Sequence, residues 1–382
     1  MRFLTGGESH GLALVALIDG VPSNMPLVKA DIDKDLARRQ LGYGRGGRMA
    51  IERDAVDIAS GVRGGRTLGS PISLIITNKD WPNWTEIMDV ETAPPADAIL
   101  TKPRPGHADL SGLIKYGFGD VRDVLERASA RETAARVAVG AVAKRLLAEF
   151  NVTVESAVLS IGAASTDKGV AVPGQGLDAD KSPVRCLDED AASGMQAAID
   201  EAGAAGETLG GVFEVAAFGM PVGLGSYTQW DKRLDAALAR ALMSIPAIKG
   251  VEVGDGFRLA ERLGSAAHDE ISYSPDKGFF RSTNRAGGLE AGMTNGGTLR
   301  VSAAMKPIPT LGKPLMTVDV VTKAPAEAIS ERSDVCAVPA ASVVGEAVVA
   351  IELANALLAK FGGDNLDETK RAFDAYQKDS RL

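Results

Sequence analysis

Histidine, cysteine and tryptophan are scarce in this chain of 382 residues, which holds three, two and three of them respectively. The cysteines, Cys186 and Cys336, stand far apart and form no metal-binding spacing. With the histidines equally scattered, a metal site is not expected. Such sparing use of cysteine points to a reducing, cytoplasmic setting. No apolar run reads as long enough to cross a membrane. The first residues lack the basic-then-apolar pattern of a signal peptide. A formal net charge of −8 does not favour non-specific binding to nucleic acid. Neither a membrane nor a nucleic acid is therefore an expected partner.

What is present is an ordinary globular balance of 45% hydrophobic and 24% charged residues, on a chain long enough for a large core. The basic residues are unevenly spread. Arginines crowd the first third: Arg38, Arg39, Arg45, Arg48, Arg53, Arg63 and Arg66, then Arg104, Arg122, Arg127, Arg131 and Arg136. A local arginine cluster on an acidic protein suggests a small, highly anionic ligand, because the planar guanidinium fork suits carboxylate and phosphate. Solvated surface charge is the plain alternative for any one of them.

His10 sits in Gly6-Gly7-Glu8-Ser9-His10-Gly11, and His107 in Arg104-Pro105-Gly106-His107-Ala108-Asp109. Each lies in a short polar segment marked by glycine. Imidazole gains or loses a proton near neutral pH, so the two form a candidate acid–base pair. A structural role, with the ring bonded to a local carbonyl, stays open for both. His268 carries no motif and reads as a surface or structural residue. Gly42-x-Gly44-x-x-Gly47 matches the letters of a dinucleotide fingerprint, but it follows a charged helix rather than a strand, and no helix opens after it. It reads better as a loop presenting Arg45 and Arg48 to an anion. No serine occupies a nucleophile elbow. Arg332-Ser333-Asp334 pairs an anion-binding side chain with a proton carrier, and Cys336 beside it reads as a buried small residue.

The spacing of apolar residues predicts strands over 11–18, 54–62, 72–77, 152–161, 210–219 and 299–304. Helices are predicted over 30–41, with Asp31 as N-cap, and over 231–244 and 340–361, the last amphipathic. The strongest helical signal is 120–149, where Ser129 and Glu132 fit a capping box and Gly140 suggests close packing. Residues 79–106 and 284–297 read as irregular connections. Residues 162–208 read as a surface insertion with one helix around 190–202, and 364–382 as an exposed charged tail.

Gly7-Glu8-Ser9-His10-Gly11, Ala128-Ser129-Ala130-Arg131-Glu132-Thr133 and Arg332-Ser333-Asp334, in this order and spacing, resemble signatures of the chorismate synthase family. Arg104 through Asp109, and the glycine loop running to Lys306-Pro307-Ile308-Pro309-Thr310, match as well. The resemblance covers essentially the whole chain. It implies one α+β domain over 1–382, a β-α-β sandwich with helices layered between antiparallel sheets, assembled as a homotetramer. It implies conversion of 5-enolpyruvylshikimate 3-phosphate to chorismate and phosphate, the last step of the shikimate pathway. The reaction is a 1,4-anti elimination with no net redox change, yet the family requires reduced FMN. Some members reduce the flavin themselves with NADPH, whereas others rely on a separate flavin reductase.

The resemblance also implies roles. His10 acts as general acid at the departing phosphate, His107 steadies the anionic edge of the reduced flavin, and Asp334 assists removal of the C6 proton. Flavin contacts carry over to Arg127, Ala128, Ser129, Pro246, Ala247, Ala291, Lys306, Pro307, Ile308, Pro309, Thr310 and Arg332. Arg39 and Arg45 fall in a loop that contacts NADPH in the family and lies close to substrate. Arg48, Arg104 and Arg131 are candidates for the substrate anions. Many members carry Asn where this chain has Pro246, and proline offers no donor, so contact there must use its carbonyl or its shape. An FMN-dependent oxidoreductase and a flavin- or phosphoanion-binding module are the competing readings.

Overall fold

The computed structural model describes residues 1–46, 53–276, 278–329 and 334–379. The elements that frame the site are, in chain order, β1 (Arg2–Gly6), β2 (Ala13–Asp19), α1 (Lys29–Gln40), β3 (Asp57–Ser60) and β4 (Ile72–Thr77). Next come α2 (Asp109–Tyr116), α3 (Arg122–Ala128), α4 (Thr133–Ala148), β5 (Thr153–Ile161) and β6 (Ala164–Ser165). Then follow α5 (Glu189–Ala204), β7 (Gly211–Phe218), α6 (Leu234–Met243), β8 (Ile248–Val253), β9 (Leu299–Met305), α7 (Val338–Phe361) and α8 (Leu366–Asp379).

Two antiparallel sheets enclose the helices. One has the order β1-β2-β4-β3 and the other β8-β9-β7-β5-β6. Helix α4 packs on β2 and β4, α7 packs on β5 and β7, and α4 and α7 pack on each other. The result is the α+β sandwich with helices between sheets. Strand β2 shows the logic: Leu14, Ala16 and Ile18 are buried while Val15 and Leu17 face outward, the two-residue period of a strand with one covered face. Where α4 crosses α7, a Cβ on Gly140 would stand 2.3 Å from the Cβ of Ala347, so only glycine permits that approach.

Several elements differ from the pattern in the sequence. The 120–149 signal is two helices, α3 and α4, separated by a 3-10 turn at Ala130–Glu132. The Ser129 hydroxyl accepts from Arg131 N, but the Glu132 carboxylate accepts from Arg136 at 3.0 Å, so it serves the next turn rather than closing a capping box. Asp31 occupies the third position of α1 and accepts from Val28 N, one residue-turn later than an N-cap. The strand expected over 54–62 is β3 plus a separate hairpin of Val62–Arg63 with Arg66–Thr67. The 162–208 stretch is not peripheral: Val184, Cys186, Ala192, Met195 and Ile199 join the main core. The 364–382 tail contains α8, which buries Leu366 and Phe373 and sets the Phe373 ring against Phe150 and Phe361. Helix α7 is not amphipathic, and it has the length and hydropathy of a membrane span. However, 78% of its most apolar window is buried, which makes it the central helix of the core.

One fully buried charge interrupts that helix. Glu346 is 0% exposed and accepts from Arg38 at 2.7 and 2.9 Å, Lys144 at 2.5 Å, Ser156 at 2.7 Å and Arg185 at 3.1 Å. Its partners come from α1, α4, β5 and the 162–208 stretch. Burial opposes its charge, but Lys144, Arg38 and Arg185 together outweigh burial and hold the carboxyl well below its usual range. Glu346→Gln removes the carboxylate that these three cations share and leaves only Asp35 and Asp180 to balance them. The expected loss in urea unfolding at pH 7 is about 3–5 kcal/mol. A depressed carboxylate stabilises above its unfolded pKa and loses that contribution as the pH falls through the folded value. The gap between wild type and variant should therefore be full at neutral pH and narrow below about pH 4.5, the group's ordinary value. A gap that stays constant down to acid pH would contradict this assignment.

Candidate functional site

A cavity of about 490 Å³ opens where the β1–β2 turn, the α3–α4 break, the end of α6, the segment after β9 and the start of α7 converge. One part of its wall is apolar, with Leu125, Ile245, Met305, Ile308, Ala341 and Val344. The rest is strongly cationic. Arg39, Arg45, Arg104, Arg131 and Lys306 line it beside His10 and His107, and Asp334 is the one carboxylate of the lining among the described residues.

Local sequence explains how His10 arrives there. At Gly7 the backbone has φ +98, and a Cβ would stand 2.2 Å from the Ala13 carbonyl oxygen, so the turn requires glycine. The turn presses Ser9 and His10 onto α3: Ser9 N donates to the Glu126 carbonyl at 3.0 Å, and His10 N to the Glu126 carboxylate at 2.8 Å. The His10 ring places Nδ1 at 2.8 Å from Glu126 Oε1 and stacks on Trp84 with centroids 3.8 Å apart. Burial opposes the Glu126 charge, but hydrogen bonding and charge from His10, then Arg122, outweigh it and hold the carboxyl below its ordinary value.

His107 is arranged in parallel. Its Nδ1 bonds the Asp109 carboxylate at the start of α2, and Asp109 also accepts from Arg104 N at 3.0 Å and Nε at 2.9 Å. Asp109 is fully buried, which opposes its charge, yet His107 and Arg104 prevail and hold it far below the usual carboxylate range. An ionised carboxylate only accepts, so Nδ1 carries the proton and Nε2 remains for the cavity. Arg104 continues to Thr310 Oγ1 at 3.0 Å, and Lys306 Nζ donates to the Gly106 carbonyl at 2.5 Å.

The remaining cations are fixed the same way. Asp54, buried behind the cavity, pairs with Arg131 at 2.5 Å and Arg39 at 3.3 Å. Arg131 also donates twice to Asn78 Oδ1, at 3.0 and 2.9 Å, and Arg39 donates to Thr133 Oγ1 at 3.0 Å. Burial brings Arg39 down to about 10, with the Asp54 charge opposing the fall, so it stays charged at neutral pH. Arg45 pairs with Asp334 at 2.7 Å, and Gly46 N donates to the same carboxylate at 2.6 Å.

Of the residues singled out in the sequence, the structure brings His10, His107, Asp334, Arg39, Arg45, Arg104, Arg131, Ala128, Ser129, Pro246, Ala247, Lys306, Ile308, Pro309 and Thr310 to this one cavity. Three others do not line it. Arg127 is exposed and donates to the carbonyls of Gly7 and Thr5; Ala291 is exposed in the turn of the Leu289–Glu290 and Met293–Thr294 hairpin; and Pro307 is exposed between two lining residues. Arg48 and Arg332 lie outside the described residues. Burial pushes the Cys336 thiol up to about 11, which suits a packing residue. His268 is exposed and lines a separate cavity of about 450 Å³. The sequence reading missed Asp54, Asn78, Trp84 and Glu126. Only Asp109 had a visible signal, two positions after His107.

Asp54→Asn leaves Arg39 and Arg131 facing one another without their shared carboxylate. The protein should lose about 3–5 kcal/mol, and inorganic phosphate should raise the midpoint of thermal unfolding more for the variant than for wild type. Equal phosphate responses would show that the two arginines do not form the anion site.

The chorismate synthase family profile matches residues 1–358. The chain is 56% identical over 384 residues to the chorismate synthase of Symbiobacterium thermophilum, covering 98% of each chain. It is 57% identical over 378 residues to that of Moorella thermoacetica, covering 99% of this chain and 98% of the relative. A solved crystal structure of chorismate synthase superposes with a TM-score of 0.80 at 45% identity, over 99% of this chain and 97% of the other. A cationic cavity carrying two carboxylate-backed histidines thus sits in a chain that belongs to the chorismate synthase family.

Proposed function

We propose that this cavity converts 5-enolpyruvylshikimate 3-phosphate to chorismate and phosphate by 1,4-anti elimination. The observation that carries the reading is the lining itself: among the described residues, five cations and two histidines against one carboxylate. The substrate has two carboxylates and a phosphate, and gathering such charge in a partly dry cavity requires fixed counter-charge. Arg39, Arg104 and Arg131 are suited to the substrate anions, and the proposal extends to Arg48.

The residues present also fit a flavin. The apolar wall of Leu125, Ile245, Met305, Ile308, Ala341 and Val344 offers a dry face to a flat ring, and Lys306 supplies a cation beside it. Ala128, Ser129, Pro246, Ala247 and Lys306 through Thr310 would hold it, with Arg332 a further proposed contact. When bound, reduced FMN supplies an electron-rich ring that eases cleavage of the C–O bond to phosphate. His10 donates a proton to the departing phosphate oxygen through Nε2, since Nδ1 is committed to Glu126. His107, held by Asp109, presents a donor to the anionic edge of the cofactor. Asp334, steadied by Arg45 and Gly46 N, assists removal of the C6 proton.

NADPH or a separate flavin reductase would keep the cofactor reduced. A cytoplasmic homotetramer completes the reading. Leu4, Leu12, Val15 and Leu17 support self-association, since they leave an apolar strip open on and beside β1 and β2, with Leu4 74% exposed.

His10→Ala, His107→Ala and Asp334→Ala should each lower kcat at least about tenfold while FMN binding is mostly kept. Wild-type turnover in any one removes that residue from the mechanism. The activity is tested by anaerobic turnover with chemically reduced FMN, following chorismate and phosphate together, with oxidised FMN as control. Equal amounts of both products, with the flavin still reduced afterwards, are expected. Net oxidation of the flavin would favour an oxidoreductase, and tight flavin binding without turnover a binding module.

A further inference from the structure

We propose that Glu126 is a positioning residue for His10, fixing the ring tautomer and stabilising the imidazolium that delivers its proton through Nε2. The proposal rests on the reading of His10 as the general acid. Its basis is a closed ring of contacts built from three separate parts of the chain. His10 Nδ1 lies 2.8 and 3.0 Å from the two Glu126 oxygens. Glu126 Oε1 accepts from Arg122 NH1 at 3.0 Å, and the Arg122 guanidinium lies 5.0 Å from the centre of the Trp84 ring. Trp84 stacks on the His10 imidazole with an interplanar angle of 26°, and its own Nε1–H is anchored on Asp80 at 3.0 Å.

Each contact restrains a different freedom. The bonds from His10 N and from Nδ1 to one carboxylate fix the rotation of the ring. The Trp84 face blocks flipping, and an electron-rich indole favours a cation stacked on it. Glu126 is buried and ionised, so it accepts and Nδ1 must carry the hydrogen. That leaves Nε2 as the nitrogen able to serve the cavity. The charged groups around His10 are Glu126 and Arg122 from α3, Asp80 behind the stacked Trp84, Glu8 two residues earlier in its turn, and Arg104 and Arg131 elsewhere in the cavity lining. Glu126 alone among them makes direct contact with the ring in favour of imidazolium. A His–carboxylate pair of this kind orients the imidazole and stabilises its charged form without itself accepting the proton.

The test uses the whole protein, with solid-state nitrogen-15 NMR of histidine-labelled samples and steady-state turnover. The chain has three histidines, so single His→Gln variants assign every ring signal. In wild type, neutral His10 should show the Nδ1–H tautomer. Glu126→Ala should return it to the Nε2–H form that unrestrained histidine prefers, with kcat down at least about tenfold and KM within about twofold. Glu126→Gln keeps the shape and an accepting oxygen, so the tautomer should persist and kcat should recover partly. Without the carboxylate charge, the alkaline limb of its kcat profile should move to lower pH by about one unit.

Persistence of the Nδ1–H signal in Glu126→Ala, or an unmoved limb in Glu126→Gln, would overturn the proposal. An unshifted tautomer beside an inactive His10→Ala variant would overturn the positioning role alone. Wild-type turnover in His10→Ala would overturn the functional reading on which the proposal rests.

Discussion

Like charge held together before any ligand arrives is the constraint that organises this molecule. Arg39, Arg45, Arg104, Arg131 and Lys306 surround a single cavity, and unit charges a few ångströms apart in a partly dry interior repel strongly. The chain meets this by placing a carboxylate behind or beside most of them: Asp54 for Arg39 and Arg131, Asp109 for Arg104 and Asp334 for Arg45. The same device serves the histidines, since Glu126 backs His10 and Asp109 backs His107. The carboxylates neutralise enough charge to let the cations coexist. They also point the donors inward, so an incoming polyanion meets side chains already in place.

Much of the secondary structure answers to that arrangement. The helical signal over 120–149 breaks at Ser129, and from the 3-10 turn that follows Arg131 reaches back to Asn78 and Asp54. Thr133 then serves two masters, donating to the Ala130 carbonyl while accepting from Arg39. Behind the site, Gly140 lets α4 lie against α7, and Glu346 ties α1, α4, α7 and β5 into one block. A buried charge of this kind adds little net stability compared with a packed apolar side chain, but breaking it is costly. It therefore fixes the relative placement of the helices that carry Arg39 and line the cavity.

The sequence shows some of this and hides the rest for physical reasons. Strand β4 at Ile72–Thr77 coincides with the predicted span, and β2 and α6 fall within a few residues of theirs, because their apolar spacing matches their burial. The motifs around His10, His107, Ser129 and Asp334 are local, so a single stretch of chain displays them. What escapes is the second partner of each pair. Glu126 is 116 positions from His10, and Asp54 is 77 from Arg131, so nothing in either neighbourhood announces the other. The 162–208 stretch misleads through composition: rich in glycine and alanine, it reads as surface, yet it feeds Arg185 into the Glu346 cluster. Helix α7 misleads in a similar way: it reads as amphipathic with an open face, yet the core covers most of it.

The most direct measurement is a crystal structure with reduced FMN and 5-enolpyruvylshikimate 3-phosphate bound together. The account predicts both ligands in the cavity, the substrate anions on Arg39, Arg104 and Arg131, and His10 Nε2 within hydrogen-bonding distance of the phosphate-bearing oxygen. It further predicts that the carboxylates of Asp54, Asp109 and Glu126 keep their present partners. Substrate bound elsewhere, or arginines that reach it only by abandoning those carboxylates, would contradict the claim that the site is arranged in advance.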